Sequence, residues 1–218
     1  MKTAKRKEAT QVDAPDLPAV TSLESLKLGS FAADAYELAA IEGVSLNDAS
    51  ASRRQFDTCL LTRIELDRTK LSNFRMVDVR VERSSAANGI WAKPNLRRVA
   101  IVGCRLTGLT MTEGDLSDVL FQECKADFLR LASSRIRNAR FENCVLAEAD
   151  FHESTVERVV FNGCDLRNAN LANAKLSEVD LRGSKIDGLT LDAAQLGSLT
   201  VDPSQAMAII QILGAKVG

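Results

Sequence analysis

An apolar residue occurs at every fifth position of this chain from Ile41 to Val201. Of these 33 central positions, 30 hold Leu, Ile, Val, Met, Phe or Trp and three hold Ala. A period of five matches neither the 3.6-residue repeat of an α-helix nor the two-residue repeat of a strand. The chain must therefore bend at each repeat, and four bends close a roughly square coil. Coils stacked at the strand spacing of about 4.8 Å bury one another's apolar side chains.

A second inward column precedes the first. The residue two before each centre is small or apolar in nearly every repeat, and Arg54 is the one charged residue among the 33 such positions from Ala39 to Leu199. About nine charged residues would be expected at water-facing positions in a chain with 26% charged residues. The pattern therefore predicts that two residues in five point inward and three in five are free to be polar.

The most regular stretch is Cys164–Pro203, which reads CDLRN ANLAN AKLSE VDLRG SKIDG LTLDA AQLGS LTVDP. It resembles the pentapeptide-repeat family, whose repeat is A(D/N)LXX, and the resemblance covers roughly residues 41–203. It implies an all-β fold, a right-handed quadrilateral β-helix of about eight coils with a short C-terminal α-helix. The predicted organisation is a flexible polar tail over 1–20, an N-terminal cap over 21–40, the β-helix over 41–201, and a C-terminal helix and tail over 202–218.

Sorting the centres by coil gives four walls. Wall one holds Ile101, Phe121, Phe141, Phe161, Leu181 and Val201, and wall two holds Leu106, Ala126, Leu146, Leu166 and Ile186. Wall three holds Trp91, Met111, Leu131, Phe151, Leu171 and Leu191, and wall four holds Leu96, Leu116, Ile136, Val156, Leu176 and Leu196. We predict an aromatic ladder from the three phenylalanines of wall one.

The cysteines follow the same frame. Cys104, Cys124, Cys144 and Cys164 are spaced by twenty and each lies two residues before a centre. We predict a second inward ladder of small core residues with free thiols. Thiols in single file cannot surround a metal ion tetrahedrally, so no metal site is expected. No cofactor or small-molecule ligand is expected either.

One stretch of the frame is less regular. Residues 84–90 (SSAANGI) have Ala86 as a poor centre and Gly89 at a small position, and a local bulge is one interpretation.

Outward positions one coil apart predict ion pairs, Arg98 with Asp118 and Arg158 with Glu178. Such surface pairs contribute little energy.

The C-terminal segment predicts a short helix. Asp202 is a suitable N-cap, Pro203 suits the first turn, and Gly214 follows the apolar run 204–213. Two interpretations stay open, an intramolecular cap on the last coil and a homodimer contact. The candidate dimer residues are Met207, Ile209, Ile210 and Leu213. The segment VDPSQAMAIIQILG is similar to the tail of gyrase-binding pentapeptide proteins of the Qnr type, and that resemblance implies head-to-head dimers.

Charge is uneven along the chain, although the net charge is only −1. Residues 53–112 hold 12 Lys/Arg and 5 Asp/Glu, a net of +7, whereas residues 113–201 hold 10 and 15, a net of −5. The gyrase-binding relatives imply a rod whose acidic surface stands in for DNA phosphates. On that resemblance the candidate acidic surface consists of Asp115, Asp118, Glu123, Glu148, Asp150, Glu153, Glu178 and Asp180.

The predicted function is a non-enzymatic binding protein, with DNA gyrase or another type II topoisomerase as the candidate partner. The main alternative is a structural or interaction rod for an unidentified protein partner. Nucleic-acid binding by the basic half, around Arg97, Arg98 and Arg105, is not favoured. No catalytic residue is predicted, because the cysteines face inward and no nucleophile or phosphate-binding motif is present. The polar N-terminus and the lack of any long apolar run predict a cytoplasmic protein without a membrane segment.

Overall fold

The computed structural model describes residues 11–26 and 33–214 of the chain. The first ten residues of the predicted tail, six residues of the predicted N-terminal cap and the last four residues of the predicted C-terminal tail lie outside the described residues.

Parallel strands make up most of the described chain. In order they are β1 (Glu24–Leu26), β2 (Ala35–Glu37), β3 (Ala39–Glu42), β4 (Ser50–Ser52), β5 (Gln55–Thr62), β6 (Lys70–Ser72), β7 (Arg75–Glu82), β8 (Ile90–Ala92), β9 (Asn95–Val102), β10 (Asp115–Gln122), β11 (Arg135–Glu142), β12 (Thr155–Asn162), β13 (Lys175–Asp180) and β14 (Leu199–Thr200). One sheet has the order β1-β3-β5-β7-β9-β10-β11-β12-β13-β14 with β2 beside β5, and a second has the order β4-β6-β8. The structure is a parallel β-solenoid of about eight turns, so the quadrilateral β-helix predicted from the sequence is confirmed.

The register of this solenoid is the twenty-residue spacing of the sequence. Phe121 pairs with Phe141 and Phe141 with Phe161 in adjacent strands. Each eight-residue strand runs along wall four, turns one corner and continues along wall one. Strands β4, β6 and β8 lie on wall three in the first coils. Elsewhere, walls two and three consist of tight turns, and isolated parallel bridges such as Lys125 with Val145 connect adjacent coils.

A left-handed backbone forms the corners. Every position two residues after a centre, from Leu38 to Gly188, has a positive φ, and 25 of these 31 residues are not glycine. This conformation is uncommon for residues that carry a Cβ. The stacked coils tolerate it because the corner N–H groups bond to the next coil, as Arg68 N does to Ala87 O at 2.9 Å.

Aromatic rings fill the middle of wall one. The ring centroids of Phe121 and Phe141 are 4.7 Å apart with 3° between planes, and those of Phe141 and Phe161 are 4.9 Å apart with 11° between planes. Phe151 of wall three meets Phe141 edge-on at 6.2 Å. These rings are buried, so the solenoid interior is a continuous apolar column.

The predicted bulge over residues 84–90 is wrong. Ser85 bridges to Arg105 in register, and the coil continues unbroken into β8. The small residues make room for Trp91, because a Cβ added to Gly89 would lie 3.2 Å from the Trp91 Nε1 atom. The Trp91 indole is buried and donates a hydrogen bond to Thr69 Oγ1 at 3.0 Å.

Two glutamines close the C-terminal end. Gln195 lies in a 3₁₀ helix, Ala193–Ser198, and Gln205 in another, Pro203–Gln205, which leads into helix α1 (Ala206–Ile212). The Gln205 side chain accepts the Asp202 N–H at 2.8 Å and donates to the carbonyl oxygens of Leu181 and Ser184, both at 2.7 Å. Ten residues earlier, the Gln195 side chain makes the same set of contacts: it accepts the Asp192 N–H and donates to the carbonyl oxygens of Leu171 and Ala174. The last coil thereby has partners for carbonyl groups that another coil would otherwise satisfy.

The N-terminal end continues the coil. A short 3₁₀ helix, Val20–Ser22, leads into β1, which pairs with β3, and Tyr36 of β2 stacks on Phe56 with ring centroids 5.0 Å apart. The segment 11–19 before it has no regular secondary structure and lies against wall four.

Candidate interaction surfaces

Ladders of polar side chains run along the corners. Arg68 donates to both carboxylate oxygens of Asp48 (2.7 and 2.6 Å), and Arg98 binds both oxygens of Asp78 in the same way. Each arginine therefore reaches back to the preceding coil, and the predicted pairing of Arg98 with Asp118 is wrong. At another corner the order is reversed, since Lys93 pairs with Glu113 of the next coil at 3.2 Å.

Two later corner residues, Asn138 and Arg158, also bind a corner residue of the preceding coil. Asp118 accepts a hydrogen bond from Asn138 Nδ2 at 3.3 Å, and Arg158 donates through Nε to Asn138 Oδ1 at 2.6 Å. Arg158 also pairs with its neighbour Glu157. The pair of Arg158 with Glu178 stays a prediction.

The candidate acidic residues are distributed over all four walls. Asp115, Asp118 and Glu178 lie on wall four, Glu123 and Asp180 on wall one, Glu148 on wall two, and Asp150 and Glu153 on wall three. Five of the eight are corner residues, so their carboxylates project from the edges of the rod. The acidic half is therefore acidic around its circumference and has no single acidic face.

Arginines compensate part of this charge. Asp115 contacts Arg137 at 3.2 Å and Arg135 at 3.8 Å. Asp180 receives the Arg182 guanidinium on both carboxylate oxygens, and against the opposing effect of burial these hydrogen bonds hold the pKa of Asp180 below its usual value. Glu123 and Glu148 are exposed corner glutamates on walls one and two and can contact a partner there.

The candidate basic residues do not converge. Arg97 and Arg98 lie on wall four, whereas Arg105 lies on the opposite wall two. Arg105 binds Ser85 Oγ at 3.0 Å and the Asp67 carboxylate. These three arginines therefore form no common groove for a nucleic-acid strand.

The cysteine column has a hydrogen-bonding role that the sequence analysis missed. At the entry to wall two, the Cys144 Sγ atom lies 3.4 Å from the backbone nitrogen of Cys124 and 3.4 Å from the carbonyl oxygen of Phe121. Ser84 and Ser184 continue the column above and below, where their hydroxyls accept the N–H groups of Ile64 (2.9 Å) and Cys164 (3.0 Å). The occurrence of Ser at both ends of the cysteine column was the signal for a side chain that both donates and accepts.

The thiols are buried and free of disulfides. Hydrogen bonding with the Cys104 and Cys144 thiols, reinforced by burial, raises the pKa of Cys124, and burial raises the pKa of Cys59. Within the described ranges no group of three or more His, Cys, Asp or Glu residues is placed to hold a metal ion. In the same part of the chain no helix is long and apolar enough to cross a membrane.

Helix α1 has two apolar faces. Ala208, Ile209 and Ile212 pack against the core, whereas the outer face exposes 49% of Met207, 40% of Ile210 and 46% of Leu213. Of the four candidate dimer residues, Ile209 therefore faces the last coil. The helix leaves a groove of about 380 Å³ beside Leu191 and Ala208.

Family models match the repeat frame directly. The model described as "Pentapeptide repeat region" matches residues 94–164, and the model described as "Pentapeptide repeats (8 copies)" matches residues 164–197. This chain is a pentapeptide-repeat protein. The matches together span residues 94–197, which include the first glutamine cap at Gln195 and end before the second at Gln205.

Solved structures of similar fold include QnrB1, described as a plasmid-mediated fluoroquinolone resistance protein, which is 16% identical, covers 90% of this chain and 99% of its own, and has a TM-score of 0.40. HetL, described as involved in heterocyst differentiation regulation in the cyanobacterium Nostoc sp. strain PCC 7120, is 16% identical over 76% of this chain and 81% of its own, with a TM-score of 0.44. Rfr23 from the cyanobacterium Cyanothece 51142 is 15% identical over 78% of this chain and 92% of its own, with a TM-score of 0.19. No curated protein sequence matches this pentapeptide-repeat protein.

Proposed function

We propose that this pentapeptide-repeat protein is a non-enzymatic binding protein, a homodimeric rod that engages a protein partner through its outer surface. The observation that carries the proposal is the exposed apolar face of α1. The inner face of the helix already covers the last coil through Ile209 and Ile212. Met207, Ile210 and Leu213 add nothing to that cap, and burying them against a second copy removes them from water.

A dimer through α1 joins the two rods end to end. The half of each rod next to the helix is the acidic one, residues 113–201 with a net charge of −5. The joined acidic halves would then form the centre of the dimer, flanked by the two basic halves. A partner that binds the centre is selected by positive charge.

The dimer contact is tested with Met207→Glu and Ile210→Glu in one variant, using light scattering to measure mass. Both side chains are exposed in the single chain, so the variant should fold and run as a monomer. Gln211→Glu is the matched control, because it adds a charge at another exposed position of the same helix. An unchanged mass in the double variant would reject α1 as the contact.

The sharper form of the proposal names a type II topoisomerase, such as DNA gyrase, as the partner that the acidic centre contacts in place of DNA. It is supported by the acidic half of the rod and by the similarity of the C-terminal tail to that of gyrase-binding members. The test is a supercoiling assay with gyrase and increasing amounts of this protein. Glu123→Gln with Glu148→Gln should weaken the effect, whereas Arg53→Gln, at an exposed corner of the basic half, should not. No change in supercoiling at micromolar protein would reject a type II topoisomerase as the partner.

A different protein partner is the alternative, and the dispersal of the acidic side chains over four walls favours it. Arginine contacts to Asp115 and Asp180 also make this surface less like a run of phosphates. Under this alternative the dimer persists and supercoiling is unaffected. Cross-linking in extracts of the native host would then recover one partner with wild type and lose it with the Glu123→Gln, Glu148→Gln variant.

A further inference from the structure

The segment of residues 11–17 (QVDAPDL) lies against the outside of wall four. The Asp16 N–H donates to Asp78 Oδ1 at 3.0 Å, and the Leu17 N–H donates to Pro15 O at 3.1 Å. Val12, Pro15 and Leu17 are half-buried although they belong to no strand or helix. The segment is therefore docked on the rod by its backbone and by alternate apolar side chains.

Two equivalent Arg–Asp ion pairs differ in exposure, and the difference shows which side chains this segment covers. Arg68 and Asp48 make a bidentate ion pair whose side chains are 56% and 63% exposed. Arg98 and Asp78 make the same pair at the equivalent type of corner, but their side chains are only 26% and 10% exposed. Val77 next to Asp78 is also buried, although the repeat frame points its side chain outward. Both differences occur where residues 11–17 pass.

Charge on the segment complements charge on the wall. The segment carries two acidic residues, Asp13 and Asp16, and Arg97 and Arg98 are neighbours on wall four. The Asp78 carboxylate and, more weakly, Asp13 raise the pKa of Arg98, so Asp13 is within electrostatic range of that guanidinium. Arg97 is exposed and has room for a further anionic contact.

We propose that Val77, Asp78, Arg97 and Arg98 form a binding site for an acidic, extended peptide, and that residues 11–17 are its intramolecular occupant. The occupant defines the ligand: carboxylates for the arginines, a backbone N–H for Asp78, and small apolar side chains for Val77. The one hydrogen bond to the wall makes the occupant displaceable, while its tether gives it an effective concentration in the millimolar range for a short flexible link. A partner with such a segment must compete with it, so the segment sets a threshold for binding at this wall.

The test uses the full chain and a fluorescein-labelled peptide of residues 11–19, with fluorescence anisotropy as the readout. Asp16→Pro removes the donor to Asp78 and one carboxylate. It preserves the turn, because the Leu17 to Pro15 hydrogen bond spans two residues and the φ of such a turn suits proline. Ala14→Pro is the matched control at an exposed neighbour with its own N–H outside the contact. Asp16→Asn removes the carboxylate charge but keeps the backbone N–H that donates to Asp78.

Loss of a hydrogen bond to a charged acceptor shifts an equilibrium by roughly tenfold or more. The Asp16→Pro variant should therefore bind the peptide about tenfold more tightly than wild type and Ala14→Pro, with Asp16→Asn in between. A peptide in which both aspartates are asparagine should bind weakly to all of them. Equal affinity of wild type and Asp16→Pro, or equal binding of the two peptides, would overturn the site. Tight binding of a labelled oligonucleotide without binding of the peptide would overturn the assignment of its ligand.

Discussion

The Sγ atom of Cys144 accepts the backbone N–H of Cys124 at 3.4 Å, one coil earlier. The same sulfur lies 3.4 Å from the carbonyl oxygens of Phe121 and Glu142, so its S–H has an acceptor within reach. One buried thiol thus contacts backbone groups of its own coil and of the preceding coil, where wall one passes into wall two. The column of cysteines is a hydrogen-bonding element of the solenoid as well as a filler of its core.

The first prediction follows from this contact. Cys144→Ala should lower the free energy of unfolding by about 1–3 kcal/mol, because the buried Cys124 N–H loses its sulfur acceptor. Cys144→Ser should stay within about 1 kcal/mol of wild type, since Ser184 already makes the equivalent contact to the Cys164 N–H at 3.0 Å. Urea unfolding measures both values. Equal losses for Ala and Ser would mean that only packing matters at this column.

The aromatic ladder gives the second prediction. Phe141 is stacked on both sides and fully buried, so Phe141→Ala should cost about 3–5 kcal/mol. Phe128 is the control, because it is 48% exposed at a corner with a φ of 59°. Phe128→Asn should leave the free energy of unfolding within about 0.5 kcal/mol of wild type or raise it, since asparagine tolerates this conformation better. A comparable loss for the two variants would contradict the stacked interior.

The glutamine cap gives the third prediction. Gln205→Leu removes partners from the carbonyl groups of Leu181 and Ser184 and from the N–H of Asp202. We expect a loss of about 2–3 kcal/mol and faster hydrogen exchange at the Asp202 amide. Gln211→Leu on the exposed side of α1 should change neither quantity. Unaltered exchange at Asp202 in the Gln205 variant would show that the Gln205 side chain does not protect that amide.

The fourth prediction concerns how the free energy of unfolding changes at acidic pH. The hydrogen bonds from Arg98 hold the pKa of Asp78 below its ordinary value in the folded protein. The unfolded chain then binds more protons in the interval between the two pKa values, so this contribution is complete above about pH 4 and is lost as the pH falls through the folded pKa.

The measurement is the free energy of unfolding between pH 2 and 7. Asp78→Asn should flatten the curve below about pH 4, because a neutral amide has no pKa to shift. Asp48→Asn should flatten the curve less: the hydrogen bond from Arg68 also lowers the pKa of Asp48, but this pair is largely exposed and screened by water. The same acid slope in wild type and Asp78→Asn would place the acid-sensitive group elsewhere.

The frame of the coil was predictable because it depends on two inward residues per repeat. The apolar centre and the small residue before it are fixed by burial, and burial is visible in composition at each position. The outward residues carry no such constraint. The left-handed corners were therefore not foreseen, since residues as different as Arg98, Glu148 and Phe128 occupy them.

Contacts that depend on direction were the least predictable. The spacing that put Arg98 one coil from Asp118 put it equally one coil from Asp78, which is its partner in the structure. The direction is not uniform, because Lys93 pairs with Glu113 of the next coil. The bulge predicted at Gly89 failed because a small residue there compensates for the large Trp91 in the same coil.

The cap and the docked N-terminal segment lacked a recognised signal. Asp192 to Gln195 and Asp202 to Gln205 form the same four-residue unit twice, ten residues apart, and that repetition was the available clue. Residues 11–17 are polar and outside the repeat frame, so composition alone favoured a free tail. A single backbone contact to Asp78 distinguishes a docked segment from such a tail.

Small-angle X-ray scattering of the full chain distinguishes two rods joined end to end through α1 from a single rod. Eight coils at about 4.8 Å give a rod of roughly 38 Å before its ends are added. The end-to-end dimer should have twice the chain mass of 23.7 kDa and a maximum dimension of roughly 90 Å. A particle of 23.7 kDa, or a dimer no longer than one rod, would contradict it.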